Sequence, residues 1–482
     1  MRKLLFLIVL ISAISFSTYA THNIGGYISY KHISGLTYEI TLVTYSNDLS
    51  VAADRCELAV KFGDGTSQMV SRINGPSCTG GQSSCNHCGE IVNGTIAVKR
   101  NIYKTQHTYP SPNTYVISML DPNRNAGIVN IPNSVQEPLY IETELVILSN
   151  NFVNNSPILL GPPLILVNSS IEIHQNLSAY DMDGDILSYE LVSAKSSGGN
   201  DIPGYFIPDS VNIELVNGEL TWKNLPTIGN YVVTIKIKEC RDGQNIGYVL
   251  VDIQVSVVTT PTLPEFTGLS NWPTDYFGRY SVTITPTDSI DLDITFKDNY
   301  SLAQVGLDAN SETFFTGQNS SFTVVSNSQT QVTKKYKWKP NSSNVRCAPY
   351  LVTFKGLSNY SGSIYGDDVT LMVFVKDQSL PSCSSVCGGI LSIDEYNSTN
   401  FNISISPNPV LDEATITIES SNQIGNLEFE LFDLLGRKVR TIQVLNRSQI
   451  TFYRNGLPAG VYLYRVVGND KTLGSGKLVF VD

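Results

Sequence analysis

Apolar and polar residues alternate with a period of two along most of this chain. Tyr38, Ile40 and Leu42 share one face against Glu39, Thr41 and Val43. Tyr231, Val233, Ile235 and Ile237 oppose Val232, Thr234, Lys236 and Lys238, and Val369, Leu371, Val373 and Val375 repeat the pattern. Near the C-terminus Ile416 and Ile418 oppose Thr415 and Thr417, while Leu427, Phe429, Leu431 and Asp433 oppose Glu428, Glu430 and Phe432. Successive side chains of a strand point to opposite faces, so this alternation predicts strands with one buried face. Short strands divided by Gly, Asn and Asp turn formers predict an all-β sandwich architecture.

One strand start occurs three times. Asn113-Thr114-Tyr115-Val116-Ile117-Ser118, Gly229-Asn230-Tyr231-Val232-Val233-Thr234 and Ala348-Pro349-Tyr350-Leu351-Val352-Thr353 each set a Tyr at the head of an alternating run. A Tyr there can return its hydroxyl to the backbone, as in the tyrosine corner of a Greek-key sandwich. Two copies follow a Trp-Lys pair, Trp222-Lys223 and Trp338-Lys339. At 482 residues the chain is too long for one core. The repeat divides it into three tandem immunoglobulin-like sandwiches, residues 21–149, 150–258 and 259–377. Residues 378–402, rich in Ser, Gly, Asn and Cys, read as a linker, and residues 403–482 as a small C-terminal sandwich.

Three segments resemble known families. Val60-Lys61-Phe62-Gly63-Asp64-Gly65-Thr66, with His107-Thr108-Tyr109 and the Tyr115 strand downstream, resembles the PKD repeat, interrupted here by a Cys-rich insertion at 74–89. Asn155-Ser156-Pro157 and Asp181-Met182-Asp183-Gly184-Asp185, with a turn expected over Glu239-Cys240-Arg241-Asp242-Gly243, resemble cadherin-like repeats. The last segment carries Pro407-Asn408-Pro409, Asp433-Leu434-Leu435-Gly436-Arg437, Leu457-Pro458-Ala459-Gly460-Val461-Tyr462 and Gly476-Lys477-Leu478-Val479-Phe480. Those elements, in that order, resemble the type A sorting domain of type IX secretion cargo. The resemblance implies recognition by an outer-membrane translocon and removal by a surface sorting peptidase. It places Pro407, Asn408, Pro409, Gly436, Gly460 and Lys477 on characteristic positions of the sorting signal.

Composition agrees with export. Charged residues make up only 16% of a chain with 25 Tyr and 36 Gly, which suits exported β-proteins better than helical or disordered ones. A net charge of −11 argues against nucleic acid as a partner, since phosphate binding needs a positive surface. Arg2-Lys3, an apolar run over 4–16 and Thr18-Tyr19-Ala20 read as a secretory signal peptide over residues 1–20. That run is too short for a stable membrane span, and no later run matches it, so no transmembrane segment is expected in the mature chain. The eight cysteines, Cys56, Cys78, Cys85, Cys88, Cys240, Cys347, Cys383 and Cys387, are an even number in an exported chain and favour disulfides. Four cluster in the first domain with three pairings open; Cys383 and Cys387 suit a local loop, and Cys240 and Cys347 a bridge across a domain boundary.

Candidate chemistry is sparse. Asp181, Asp183 and Asp185 offer three carboxylates on a Gly-containing loop, the ligand type that calcium takes. The cadherin-like resemblance implies Asp181 and Asp183 as calcium ligands, helped by Glu142 or Glu144. The loop lacks the Gly and Glu positions of an EF-hand, and a solvated acidic turn is the alternative. Cys78, Cys85, Cys88, His87 and His107 have zinc-ligand types without a second spaced pair, and disulfides suit them better. Trp222 and Trp338 could stack on sugars, although a Trp at a repeated strand position usually fills a core. Asp209-Ser210-Val211 and Asp288-Ser289-Ile290 resemble short bacterial O-glycosylation motifs. No Gly-x-Ser-x-Gly or His-Glu-x-x-His motif is present. The chain is therefore expected to be an exported cell-surface or secreted protein, similar to multi-domain surface proteins of gliding bacteria. Its expected role is adhesin or spacer without catalysis, with a glycan or protein ligand that the sequence does not name. An exported glycosidase or peptidase with accessory β-domains is the alternative; after the sandwiches and tail, little chain is left for it.

Overall fold

The computed structural model describes residues 23–481 except 49–53, 79–84, 94–97, 150, 162–164, 170, 224–226, 260–263, 276, 362, 378–400, 421–425, 433–437, 446–448 and 469–470. The signal segment 1–20 and most of the linker lie outside the described residues. The fold is all-β: tandem immunoglobulin-like sandwiches and a small C-terminal sandwich, with helical structure limited to single 3-10 turns among the described residues. The residues form two compact units, one holding the three upstream sandwiches and one holding the tail.

In the first sandwich, Asn23–Ser34, Thr37–Asn47 and Val98–Thr108 pair in antiparallel order. Glu57–Lys61, Ser67–Ser71, Thr114–Asp121 and Leu139–Val146 form the facing layer. Ile28, Tyr38, Ile40, Leu42, Phe62, Tyr103, Ile117 and Ile141 fill the space between, so the faces read from alternation are the buried ones.

The second sandwich is built on a long hairpin, Gly229–Arg241 with Gln244–Val258. A turn over residues 239–243 was expected. Instead Glu239, Cys240 and Arg241 end the strand, and Asp242 and Gly243 alone make the turn, both at positive φ. That is the two-residue geometry whose twist matches antiparallel strands.

The sheet built on this hairpin is not confined to the second sandwich. One edge of Gln244–Val258 is filled by its hairpin partner, and the other pairs in turn with Leu139–Val146 and with Asn23–Ser34. One sheet therefore runs through both sandwiches. The seam needs a bare backbone at Gly25, since a Cβ there would sit 2.2 Å from the Asp252 carbonyl oxygen. Across the seam the Arg124 guanidinium donates two hydrogen bonds of 2.8 Å to the Asp252 carboxylate, with both side chains buried.

The third sandwich packs Pro264–Thr267, Ile290–Asp298, Gln331–Trp338 and Ser320–Asn327 against Ser281–Ile284, Ser363–Val375, Tyr350–Tyr360 and Gln304–Asn310. Phe296, Tyr336, Trp338, Val352, Phe354 and Leu371 are its core. The predicted tyrosine corners are present. The hydroxyls of Tyr115, Tyr231 and Tyr350 donate to the carbonyls of Ser111, Thr227 and Asn344 at 2.7, 3.0 and 3.0 Å. Tyr462 does the same to Pro458 at 3.1 Å in the tail, where the repeat gave no hint of it.

The tail stacks Phe401–Ser406, Glu413–Ser420 and Gln449–Tyr453 on Lys438–Leu445, Asn426–Phe432, Gly460–Gly468 and Lys471–Phe480. Ile416, Ile418, Phe429, Leu431, Phe452, Leu478 and Phe480 are buried between the layers.

Candidate functional site

In the tail, residues some seventy positions apart meet on the last strand. Asn408 Nδ2 donates to the Lys477 carbonyl at 2.8 Å, and Val479 N donates to Asn408 Oδ1 at 2.9 Å. Val410 N then donates to the Val479 carbonyl at 2.7 Å. Asn408, between Pro407 and Pro409, thus acts as a side-chain extension of the sheet. Gly460 pairs with Phe480, and Leu463 with Lys477. A Cβ on Gly476 would lie 2.6 Å from the Tyr464 hydroxyl, so the bare backbone seats that ring. The structure brings Asn408, Gly460 and Lys477 together at this strand, with Pro407 and Pro409 flanking Asn408 in the chain; Gly436 lies outside the described residues.

The acidic loop of the second sandwich is tied into the protein by its own hydrogen bonds. Asp181 Oδ1 accepts from the backbone N–H groups of Asp183 and Asp185 at 2.8 and 3.0 Å. Asp183 accepts from the Asn155 backbone and side-chain amides at 2.7 and 2.8 Å. Asp185 takes both arms of Arg241, at 2.7 and 2.6 Å. The three carboxylates offer ligand atoms within 4.8 Å of one another. Five of their six oxygens, however, already accept from protein donors, and only Asp181 Oδ2 is buried without one. Calcium takes six to eight oxygens. An ion held by all three carboxylates would have to displace Arg241 from Asp185. Glu142, a proposed helper, instead accepts from the hydroxyls of Tyr140 and Tyr248 at 2.8 and 2.7 Å.

Glu239 and Arg241 were both read only as part of a turn. Glu239 is fully buried and accepts from the Tyr30 hydroxyl and Asn154 Nδ2 at 3.1 and 3.2 Å. Burial, reinforced by the neighbouring Asp181 charge, pushes its carboxyl well above the usual range. Burial and Asp185 likewise push Asp181 up to about 7. The one signal available was the Asp-Gly turn, which fixes Arg241 at the end of its strand.

Arg241→Ala is expected to destabilise the second sandwich by about 1–2 kcal/mol, less than a fully buried pair because the guanidinium is partly solvated. A calcium chelator is expected to leave the melting temperature unchanged. A melting temperature that falls with chelator and recovers with calcium would show that the ion holds the loop.

Cys56 pairs with Cys85 and Cys78 with Cys88, with Cα atoms 5.0 and 5.2 Å apart. These bridges brace the insertion and leave its cysteines no thiolate for zinc. Cys240 and Cys347 are also disulfide-bonded, whereas Cys383 and Cys387 lie outside the described residues. His107 is structural. Its Nε2 lies 2.7 Å from Asp64 Oδ2 and its ring stacks on Phe62 at 3.9 Å. Burial opposes ionisation of Asp64, but hydrogen bonds from Thr66 and His107 hold its carboxyl down at about 2. Trp222 and Trp338 are core side chains, closed to a sugar.

The fold and the strand-end cluster in the tail define a tandem immunoglobulin-like protein with an appended sorting domain. Residues 404–480 match the family described as the secretion system C-terminal sorting domain, so the chain carries the type IX sorting tail. No curated protein matches the chain. Solved structures similar to it include the N-terminal four Ig domains of Dscam1 isoform 6.44, at 10% identity, covering 95% of this chain and 99% of that one, with a TM-score of 0.18. Drosophila N-cadherin EC1-4 is 12% identical over 89% of this chain and 92% of its own, with a TM-score of 0.17. Dimeric latent PorU from Porphyromonas gingivalis is 14% identical over 70% of this chain and 35% of its own, with a TM-score of 0.16. The tail marks the chain for export to the cell surface or extracellular space. Among the described residues no helix is long and apolar enough to cross a membrane.

Proposed function

We propose that the upstream sandwiches form a non-catalytic, stiff binding or spacer module, displayed outside the cell as an adhesin. The observation that carries this is the sheet shared by the first two sandwiches. A strand of 15 residues pairs with strands of both, and a buried ion pair clamps the seam. Such continuity resists bending between modules, which suits a protein that holds a ligand at a distance from the surface. A glycan and matrix-protein binding screen with the mature chain lacking its tail tests the role. Saturable binding to one class is expected, and turnover of glycan or peptide substrates by the same preparation would overturn it.

The outer-membrane translocon and a surface sorting peptidase are the partners proposed for export, after a first step directed by the signal peptide over residues 1–20. Deleting residues 404–480 is expected to leave the upstream sandwiches folded but retained in the periplasm. Fractionation and surface proteolysis check this; surface display without the tail would reject the assigned route.

A further inference from the structure

The second and third sandwiches meet along Ile173–Asn176 and Ser363–Val375, and the polar groups at this contact form one charged cluster. The His174 backbone N–H donates to Asp367 Oδ1 at 2.8 Å, and the Asn176 N–H donates to Asp368 Oδ2 at 2.9 Å. Lys355 reaches across to the Asn176 carbonyl at 3.0 Å and to Asp368 at 2.5 Å. Asn176 Nδ2 donates to Thr370 Oγ1 at 3.0 Å. The His174 ring lies 3.5 Å from Asp367 and 3.6 Å from Glu172. Glu219 stands directly across the sheet from Asn176 and shares Thr370 as a hydrogen-bond partner.

Charge balance at this contact requires protons. Lys223 pairs with Glu172 at 2.9 Å and cancels it. Lys355 cancels Asp368. That leaves Asp367 and Glu219 facing His174, with Tyr280 as the remaining titratable neighbour of Glu219. With His174 protonated and Glu219 neutral the cluster sums to zero. With both deprotonated it carries two uncompensated negative charges within one contact.

We infer that this contact is a proton-held latch, which fastens the third sandwich to the second in mildly acidic medium and loosens as the medium turns alkaline.

The titration of both groups points the same way. Burial, and then the Asp367 and Asp368 charges, push Glu219 up to about 7 against the partial relief given by His174 and Thr370. The hydrogen bond to Asp367 raises His174 despite its burial. Burial also raises Asp368. A group whose pKa is higher in the closed contact than in the open one binds its proton on closing. Its contribution is complete below the open-state value, near 4.5 for a glutamate and 6.5 for a histidine. It is lost as pH rises through the closed-state value. Closure is therefore strongest below about pH 5 and fades past pH 7.

Hydrogen exchange of the full chain, corrected for the intrinsic pH dependence of the chemistry, tests the latch. The His174 and Asn176 amides are expected to exchange on the order of tenfold faster, relative to intrinsic rates, at pH 8.5 than at pH 5.5. Amides of Ile294 and Phe296, in the core of the third sandwich, are expected to stay unchanged. Glu219→Gln is neutral at every pH and is expected to flatten most of the dependence while keeping the protection. Equal corrected protection at both pH values in the wild-type chain would overturn the latch. So would a Glu219→Gln variant that keeps the full pH dependence.

Discussion

Arg124→Ala is expected to cost about 3–5 kcal/mol and to uncouple the first two sandwiches, because it leaves the Asp252 carboxylate buried without its partner. Both side chains lie beneath the shared sheet, with 3% and 1% of their surfaces exposed. The remaining donor to Asp252 is the Thr234 hydroxyl at 3.3 Å, too weak to hold a charge there. Arg124 Nε also donates to the Pro138 carbonyl at 3.0 Å, and the variant orphans that group too. The double variant Arg124→Leu with Asp252→Leu removes both charges and is expected to cost much less. Calorimetry of the two variants decides it. A single variant no less stable than the double one would mean that the pair does not clamp the seam.

Trp338→Ala is expected to destabilise the third sandwich by about 3–5 kcal/mol, as deletion of a large buried aromatic does. Trp338 is 1% exposed, its ring centroid lies 4.8 Å from that of Tyr350, and its Nε1–H donates to the Gln318 carbonyl at 2.8 Å. Truncation empties the centre of the core beside the tyrosine corner. Trp338→Phe keeps most of the apolar volume but orphans the Gln318 carbonyl, so an intermediate loss is expected. Urea titration followed through the third sandwich's own transition measures both. A Trp338→Ala midpoint within error of wild type would show that the site is not a core position.

These two expectations differ in how far the sequence foretold them. Trp338 was legible because it recurs with Trp222 before a Tyr-led strand, and a repeated position in a repeated module usually has one packing role. The tyrosine corners at Tyr115, Tyr231 and Tyr350 were legible for the same reason. Arg124 was not, because its partner lies 128 residues away and neither residue belongs to a repeat. The acidic loop was legible as a cluster but not in its role. Its spacing shows three carboxylates, whereas the side chains that occupy Asp183 and Asp185, those of Asn155 and Arg241, come from distant parts of the chain. At the sorting tail the motifs were visible one by one. Their meeting, through the Asn408 side chain and the last strand, required the sheet register.

By itself the sequence determined the local states: which residues face inward, where the Tyr-headed strands begin, that the chain is exported, and which tail addresses it. Alternation, turn chemistry and contiguous motifs are short-range, so they survive without coordinates. Only the tertiary structure decided what joins the modules: the shared strand, the Arg124–Asp252 clamp, the Arg241 hold on the acidic loop and the cluster around Glu219. Each depends on groups far apart in the chain, whose distance and desolvation exist only once the strands are paired.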